Sequence, residues 1–431
     1  MNLQNIEIKN LFRRYNYNIE LTNDSGIKII TGPNGYGKST IIRLLSNFYS
    51  GNIYYFFEVP FNTLTLTFAN DNAKSTIVSI DKINSETELT DTETNESKEL
   101  KITLCENDSI VSDIIITKAQ LDALYQKHGY ESDSSSFQGL KSNQLVSTDV
   151  RPDILDLIFI DSIDLLMFIR ELNVLQIEDQ RLFYTDNSID KQLLQHGANL
   201  FRVNKDAIEL KNRISALKNK LSELLQIKTI EAISDSKEIA LTQSEYNSRI
   251  EYINQNIKAL IACGIATESQ VLDNRMQTDN ARMLTNILIA YEQVVGTIYK
   301  QAEEILLLIK LIEQSDFPDK TCTLNTLTGY CFTDINGVYI PADLLSSGEQ
   351  HKLVMYFQLI FKTTESMLVL IDEPELSFHV LWQTTFIDEM KQLVSQKNLQ
   401  MIIATHSPQI IDGKWSLTQD LYESANSTID A

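Results

Sequence analysis

The sequence predicts an α/β fold in two separated strand-and-helix segments, with a helical insert between them. Three observations predict it. A short apolar run, 27–31, leads into a glycine-rich loop and then a helical pattern at Ile41, Ile42, Leu44 and Leu45. Between Ala207 and Leu260, apolar residues recur at alternating steps of three and four. Further on, two apolar runs, 368–373 and 401–406, close on polar residues, as buried parallel strands do beside a ligand.

The elements follow in order. Within 1–165, β-rich runs at 53–58, 61–68, 75–80, 100–105 and 110–117 are separated by Asn, Asp and Ser clusters, which predicts an antiparallel β subdomain. Residues 81–113 hold ten acids against three lysines, and the low-complexity part, 85–97, is expected as a solvated loop. Residues 166–318 are expected to be mainly helical. Ala207, Leu210, Ile214, Leu217, Leu221 and Leu224 form one stripe. After an interruption at 228–237, Tyr246, Ile250, Ile253, Ile257 and Leu260 form another. Two such stripes predict an antiparallel helical hairpin, packed as a short coiled coil or an ordinary bundle. A third helix, at about 282–313, returns the chain to a segment, 319–431, of alternating strand and helix. The expected domains are therefore 1–165, 166–318 and 319–431.

Composition narrows the classes. The formal net charge of -21 lacks the basic footprint that phosphate-backbone binding needs, so the expected partners are proteins. No stretch approaches the ~20 apolar residues of a membrane span, and no secretory signal is visible. The four cysteines, Cys105, Cys263, Cys322 and Cys331, form no C-x-x-C pair, and a reduced cytoplasmic compartment is expected.

Four segments carry the chemistry. Gly32-Pro33-Asn34-Gly35-Tyr36-Gly37-Lys38-Ser39 fits the spacing G-x-x-x-x-G-K-[ST]. Between a strand and a helix, such glycines let the backbone close around phosphate. The first amides of the helix, through Thr40, then face the anion. Lys38 is expected to reach the outer phosphates and Ser39 to ligate magnesium. Asp372, at a strand end, is suited to the magnesium, and Glu373 to polarising an attacking water. Ser346, Ser347 and Gly348 open a helical run and can hold an anion, although they also read as a plain N-cap. His406 closes the last strand, placed to touch a terminal phosphate or its water.

In this order the motifs GPNGYGKST, LSSGEQ, LVLIDEPELSFH and IIATHSPQII resemble those of the ABC ATPases, within them the SMC, RecF and OLD group. The D-E-P-E-L-S-x-H and T-H-S-P-Q forms are similar to OLD-type and related antiviral ATPases. The resemblance covers about 1–70 and 340–415. It implies an ATPase using ATP and Mg2+ in which Ser346 and Gly348 of one copy contact the phosphate held by another. It further implies Glu373 as catalytic base, His406 as switch histidine, and Pro374, Glu375 and Leu376 as a loop coupling the two sites. The family's Q-loop glutamine is looked for near 159–161. No cysteine stands at 228–237 for a zinc hook, and no Toprim domain is expected after His406.

In size and layout the chain is similar to the ATPase subunits of the PARIS and Septu antiviral systems, PARIS first. The resemblance implies a head-to-tail dimer or higher homo-oligomer that controls a separate effector, a Toprim- or HNH-type nuclease, in answer to a phage-encoded trigger. The competing reading is a RecF- or SMC-like ATPase of DNA repair or chromosome maintenance. Against it, residues 205–260 carry nine Lys and Arg and eight acids, which form no basic stripe. Nucleic acid is not expected as the main ligand, nor is a membrane.

Overall fold

The computed structural model describes residues 1–21, 25–69, 75–83, 99–107, 109–127, 152–177, 202–234, 241–273, 281–315, 317–378 and 380–427. In chain order the elements are β1 (Asn2–Leu11), β2 (Tyr15–Glu20), β3 (Ile27–Thr31), α1 (Lys38–Tyr49), α2 (Tyr54–Glu58), β4 (Thr63–Ala69), β5 (Ser75–Ile83), β6 (Glu99–Glu106), β7 (Ser109–Thr117), α3 (Lys118–Lys127), α4 (Pro152–Ile158), α5 (Ile163–Glu171) and β8 (Val174–Ile177). There follow α6 (Arg202–Ser234), α7 (Gln243–Ala262), α8 (Ala281–Gln301), α9 (Glu303–Gln314), β9 (Lys320–Asn325), β10 (Gly329–Asp334), β11 (Tyr339–Ile340), α10 (Ser347–Phe361), β12 (Leu368–Asp372), α11 (Val380–Lys397), β13 (Gln400–Ala404), α12 (Pro408–Ile411), β14 (Thr418–Asp420) and α13 (Leu421–Ser427). The α/β head with a glycine-rich loop, an antiparallel β subdomain and a helical insert is thus the fold of the chain.

Two compact units emerge: Met1–Ile189 with Lys362–Ala431, and Asp190–Phe361. The division differs from the expected boundaries at 165 and 318 for a physical reason at each end. Strand β8 pairs in parallel with β12, which ties the chain up to Ile177 into the first unit. Past residue 318, the sheet β11-β10-β9 and α10 pack with the helices α6 and α9, so these residues belong to the insert.

The first unit holds two sheets. One is antiparallel, ordered β2-β1-β4-β5-β6-β7. Strand β4 shows why it forms: Leu64, Leu66 and Phe68 are buried while the intervening threonines are half-exposed, the two-residue period of a sheet with one face on a core. The other sheet, β14-β3-β13-β12-β8, is parallel at every pairing. Its β12 and β13 are buried almost throughout, as strands covered on both faces must be. Parallel strands end at one edge, and β3, β13 and β12 there lead into Gly32, Thr405 and Glu373.

Two expectations change and one is untested. Residues 53–58, expected as strand, form α2. Ile53, Tyr54, Phe56 and Phe57 are all buried, and two consecutive buried pairs fit a helix packed into a core better than a two-residue alternation. Strand β8 interrupts the expected helical region; four residues are too short to reveal a buried strand by periodicity. The stretch 84–98, with its low-complexity loop, lies outside the described residues.

In the second unit, α6 runs on to Ser234, into the expected interruption at 228–237, while 235–240 lie outside the described residues. Leu210, Ile214 and Leu221 of α6 and the whole stripe from Tyr246 to Leu260 of α7 are buried. The stripes do not form a two-helix hairpin. Helix α8 packs against both α6 and α7, while α6 and α7 barely approach each other. A capping box of Thr242 and Glu245 starts α7. The expected third helix is two, α8 and α9, joined at Ala302. Strand β10 lies so close to α6 that a Cβ built on Gly329 would stand 2.2 Å from the Ala207 carbonyl oxygen, and Gly329 has φ 76°. The three nearest atoms are all Ala207 backbone, so nothing flexible can yield. Gly329→Ala should therefore lower unfolding stability by about 3 kcal/mol, read from the urea midpoint at unchanged slope.

Candidate active site

The glycine-rich loop leaves β3 at Thr31 and enters α1 at Lys38. Gly37 sits at φ 92°, and an added Cβ would meet Leu11 Cδ2 at 2.8 Å, so sterics and conformation both demand glycine. Tyr17 donates its hydroxyl to the Tyr36 carbonyl at 2.8 Å. Burial, then the nearby Tyr15 and Tyr36, push the Tyr17 hydroxyl well above its ordinary pKa, keeping it a donor. The Tyr36 ring contacts Tyr15 at 5.1 Å and Tyr422 at 5.5 Å between centroids. These three tyrosines brace the loop from β2 and α13. Sequence reading missed them because they lie far from the motif along the chain.

Lys38 is 4% exposed. Its ammonium donates to the carbonyl oxygens of Gly32 at 2.8 Å and Pro33 at 3.2 Å, closing the loop, and to His406 Nδ1 at 3.4 Å. Burial lowers its pKa; the charges of Glu373, Asp372, Glu375 and Asp420 oppose that shift without cancelling it. Ser39 donates its hydroxyl to Asp372 Oδ1 at 3.1 Å. This hydroxyl–carboxylate pair offers hard oxygen donors beside the phosphate loop, which is the chemistry magnesium accepts. Among the described residues no cluster of three His, Cys, Asp or Glu side chains could hold a metal by protein ligands alone.

Glu373 takes a left-handed backbone, φ 46°, rare for a residue with a side chain. Its amide still extends the ladder to the Ala404 carbonyl at 2.9 Å. Its carboxylate lies 3.4 Å from His406 Nε2. The structure thus gathers Lys38, Ser39, Asp372, Glu373 and His406 at one sheet edge.

Ser346, Ser347 and Gly348 fall in the second unit. Ser346 caps α10: its amide and hydroxyl both donate to Glu349 Oε2 at 2.8 Å, and the Glu349 amide donates back to its hydroxyl at 3.4 Å. The N-cap reading of this segment is therefore realised. Ser346 and Ser347 remain exposed, which leaves the helix start open to an anion. Lys320 Nζ pairs with Glu349 Oε1 at 2.8 Å.

Residues 159–161 do not supply the glutamine looked for there. Phe159 is buried in the core, just beyond the end of α4. Sequence reading did not see β8. The strand beside β12 ends at Ile177, and the next glutamine, Gln180, lies outside the described residues.

A family model described as AAA ATPase domain matches residues 1–411. The chain belongs to that family. Membership in the AAA ATPase domain family agrees with a phosphate loop whose lysine, serine, aspartate and glutamate meet at one edge. A search of curated proteins found no match. Among solved structures, an SMC head bound to the C-winged helix domain of ScpA is similar at 12% identity and TM-score 0.39, covering 95% of this chain and 91% of that one. The SMC head domain from Thermotoga maritima is similar at 11% identity and TM-score 0.37, covering 96% and 92%. Among the described residues no helix is long and apolar enough to cross a membrane.

Burial alone would raise the Glu349 pKa, but hydrogen bonds from Lys320 and Ser346 outweigh it and hold it below the usual range. The ionised form is thus favoured by folding. Its contribution is complete above the unfolded pKa and is lost as pH falls through the folded value. Glu349→Gln should cost about 2 kcal/mol at pH 7. That difference should shrink steadily on acidification below about pH 4.5, the ordinary carboxyl value, as urea titrations of both proteins across pH will read.

Proposed function

We propose that the chain binds ATP with Mg2+, hydrolyses it at a site completed by a second copy, and acts as sensor and scaffold for a separate effector in antiviral defence. The observation that supports it most is the juxtaposition of Lys38, Ser39, Asp372, Glu373 and His406 at the carboxyl edge of one parallel sheet. In this reading the loop 32–40 wraps the phosphates: the amides of Gly35, Tyr36 and Gly37 and of the first turn through Thr40 face them, with Pro33 and Asn34 shaping the approach. Lys38 turns from its carbonyl partners toward the outer phosphates. Ser39 and Asp372 would hold the metal, whose charge would offset that of the phosphates. Glu373 takes a proton from water, and His406 orients that carboxylate and the terminal phosphate.

Ser346 and Ser347, exposed at a helix start, and the half-buried Gly348 beside them would meet the nucleotide held by the partner copy. A catalytic constellation split between two chains makes assembly depend on ATP. The motif forms D-E-P-E-L-S-x-H and T-H-S-P-Q support the defence reading, with a nuclease of Toprim or HNH type as effector and a phage product as trigger. The near balance of charge along 205–260 supports a protein rather than a DNA partner for the helical unit.

Lys38→Ala should abolish ATP turnover, and Ser346→Arg should do the same at the partner's site. Mixing the two proteins should restore part of the activity, since one intact composite site can form; turnover by a strict monomer at the full rate would sink the shared-site model. Glu373→Gln should leave ATP binding intact, reduce turnover by ~10²–10⁴-fold and accumulate an ATP-dependent dimer in light scattering. Normal hydrolysis by that variant would defeat the assignment of the base.

A further inference from the structure

Glu375 has a place in this site that no motif assigns to it. One of its oxygens, Oε1, accepts three hydrogen bonds from consecutive residues beyond β13: the Thr405 hydroxyl at 2.8 Å, the His406 amide at 2.7 Å and the Ser407 amide at 3.2 Å. Its other oxygen is buried with no partner among the described residues. A second strut runs alongside. Gln383 donates to the Phe378 and Glu375 carbonyls at 3.1 and 3.4 Å and accepts from the Ser407 hydroxyl at 2.7 Å. The segments 374–378 and 405–407 are therefore bonded twice, once through a carboxylate.

His406 needs such a hold. Its imidazole is a third exposed, and among the described residues its ring nitrogens each have one 3.4 Å contact, to Lys38 and to Glu373. The ring's position must come from the backbone that carries it. The Thr405 amide is held by the Ile30 carbonyl at 3.1 Å; beyond it, the His406 amide ends on Glu375, and the Ser407 amide is shared between Glu375 and the Thr405 hydroxyl at 3.0 Å, which itself donates to Glu375.

We infer that Glu375 is a positioning residue that sets the place of His406 from within the same chain, so that any movement of 374–378 is passed directly to the imidazole. This rests on the ATPase reading above and goes beyond the coupling role that the resemblance implies for that loop, because it specifies the acceptor atom and the side chain it controls. Glu375 is also one of four carboxylates acting on the Lys38 charge. A clamp and a charge effect must therefore be told apart.

Three variants do so. Glu375→Gln keeps an acceptor oxygen and loses the charge. Glu375→Asp keeps the charge and falls one methylene short. Glu375→Ala loses both. A clamp requires the glutamine variant to keep kcat within about threefold of the wild type. It requires the alanine and aspartate variants to lose about 10–100-fold in kcat, the cost of misplacing a catalytic group by a fraction of an ångström to an ångström, with KM for ATP within twofold. In a His406→Ala background, adding Glu375→Ala should lower the residual kcat by less than twofold, because the residue acts through the imidazole. If glutamine is as slow as alanine, charge and not the clamp is at work. If alanine turns over at the wild-type rate, or lowers kcat as much without His406 as with it, the inference is overturned while the ATPase reading stands. Should the wild type show no ATP turnover abolished by Glu373→Gln, the ATPase reading fails and the clamp with it.

Discussion

The parallel register of β3, β13 and β12 is the constraint on which the site depends. Ile30, Ala404 and Asp372 form one row across the three strands. The ladder continues one residue beyond that row, with the Thr405 amide on the Ile30 carbonyl and the Glu373 amide on the Ala404 carbonyl. Strand side chains alternate faces, so a slip of one residue in β12 would turn Asp372 away from Ser39 and bring its neighbour in its place. The distances that matter between residues 38, 39, 372, 373 and 406 are thus fixed by main-chain pairing. The apolar bulk of β12 and β13, buried on both faces, makes that pairing costly to change.

Upon this frame the charges are unevenly set. Lys38 is the cation at the centre, and Asp372, Glu373, Glu375 and Asp420 act on it. Burial works against its charge and the carboxylates work for it, so neither can be removed without shifting the other. A surplus of negative charge disfavours free polyphosphate and favours polyphosphate that arrives with a divalent cation. The acidic balance of the chain as a whole, -21, acts in the same direction.

The phosphate loop and the two strand ends were legible in the sequence because each is local. A glycine-lysine-serine spacing, an apolar run and the polar residue that closes it all lie within a few positions. The N-cap character of Ser346 was legible for the same reason. What was not legible depends on distance or on brevity. Tyr15 and Tyr422 reach Tyr36 from opposite ends of the chain, and Glu375 meets 405–407 across thirty residues. Strand β8 has four residues and no alternation, and without it the edge beside β12 could not be assigned. In the helical unit the stripes of α6 and α7 were real, but a stripe identifies a buried face and not its partner. Here α8 fills that place between them.

The left-handed backbone of Glu373 has a consequence for how this chain can change over time. A side chain in that conformation costs about 1–2 kcal/mol, a strain that glycine would not bear. At this one position the substitution that best relieves the fold is the one that deletes the carboxylate facing His406. Drift toward greater thermal robustness therefore leads here to a well-folded protein without that carboxylate, which on the proposed ATPase reading is a silent one.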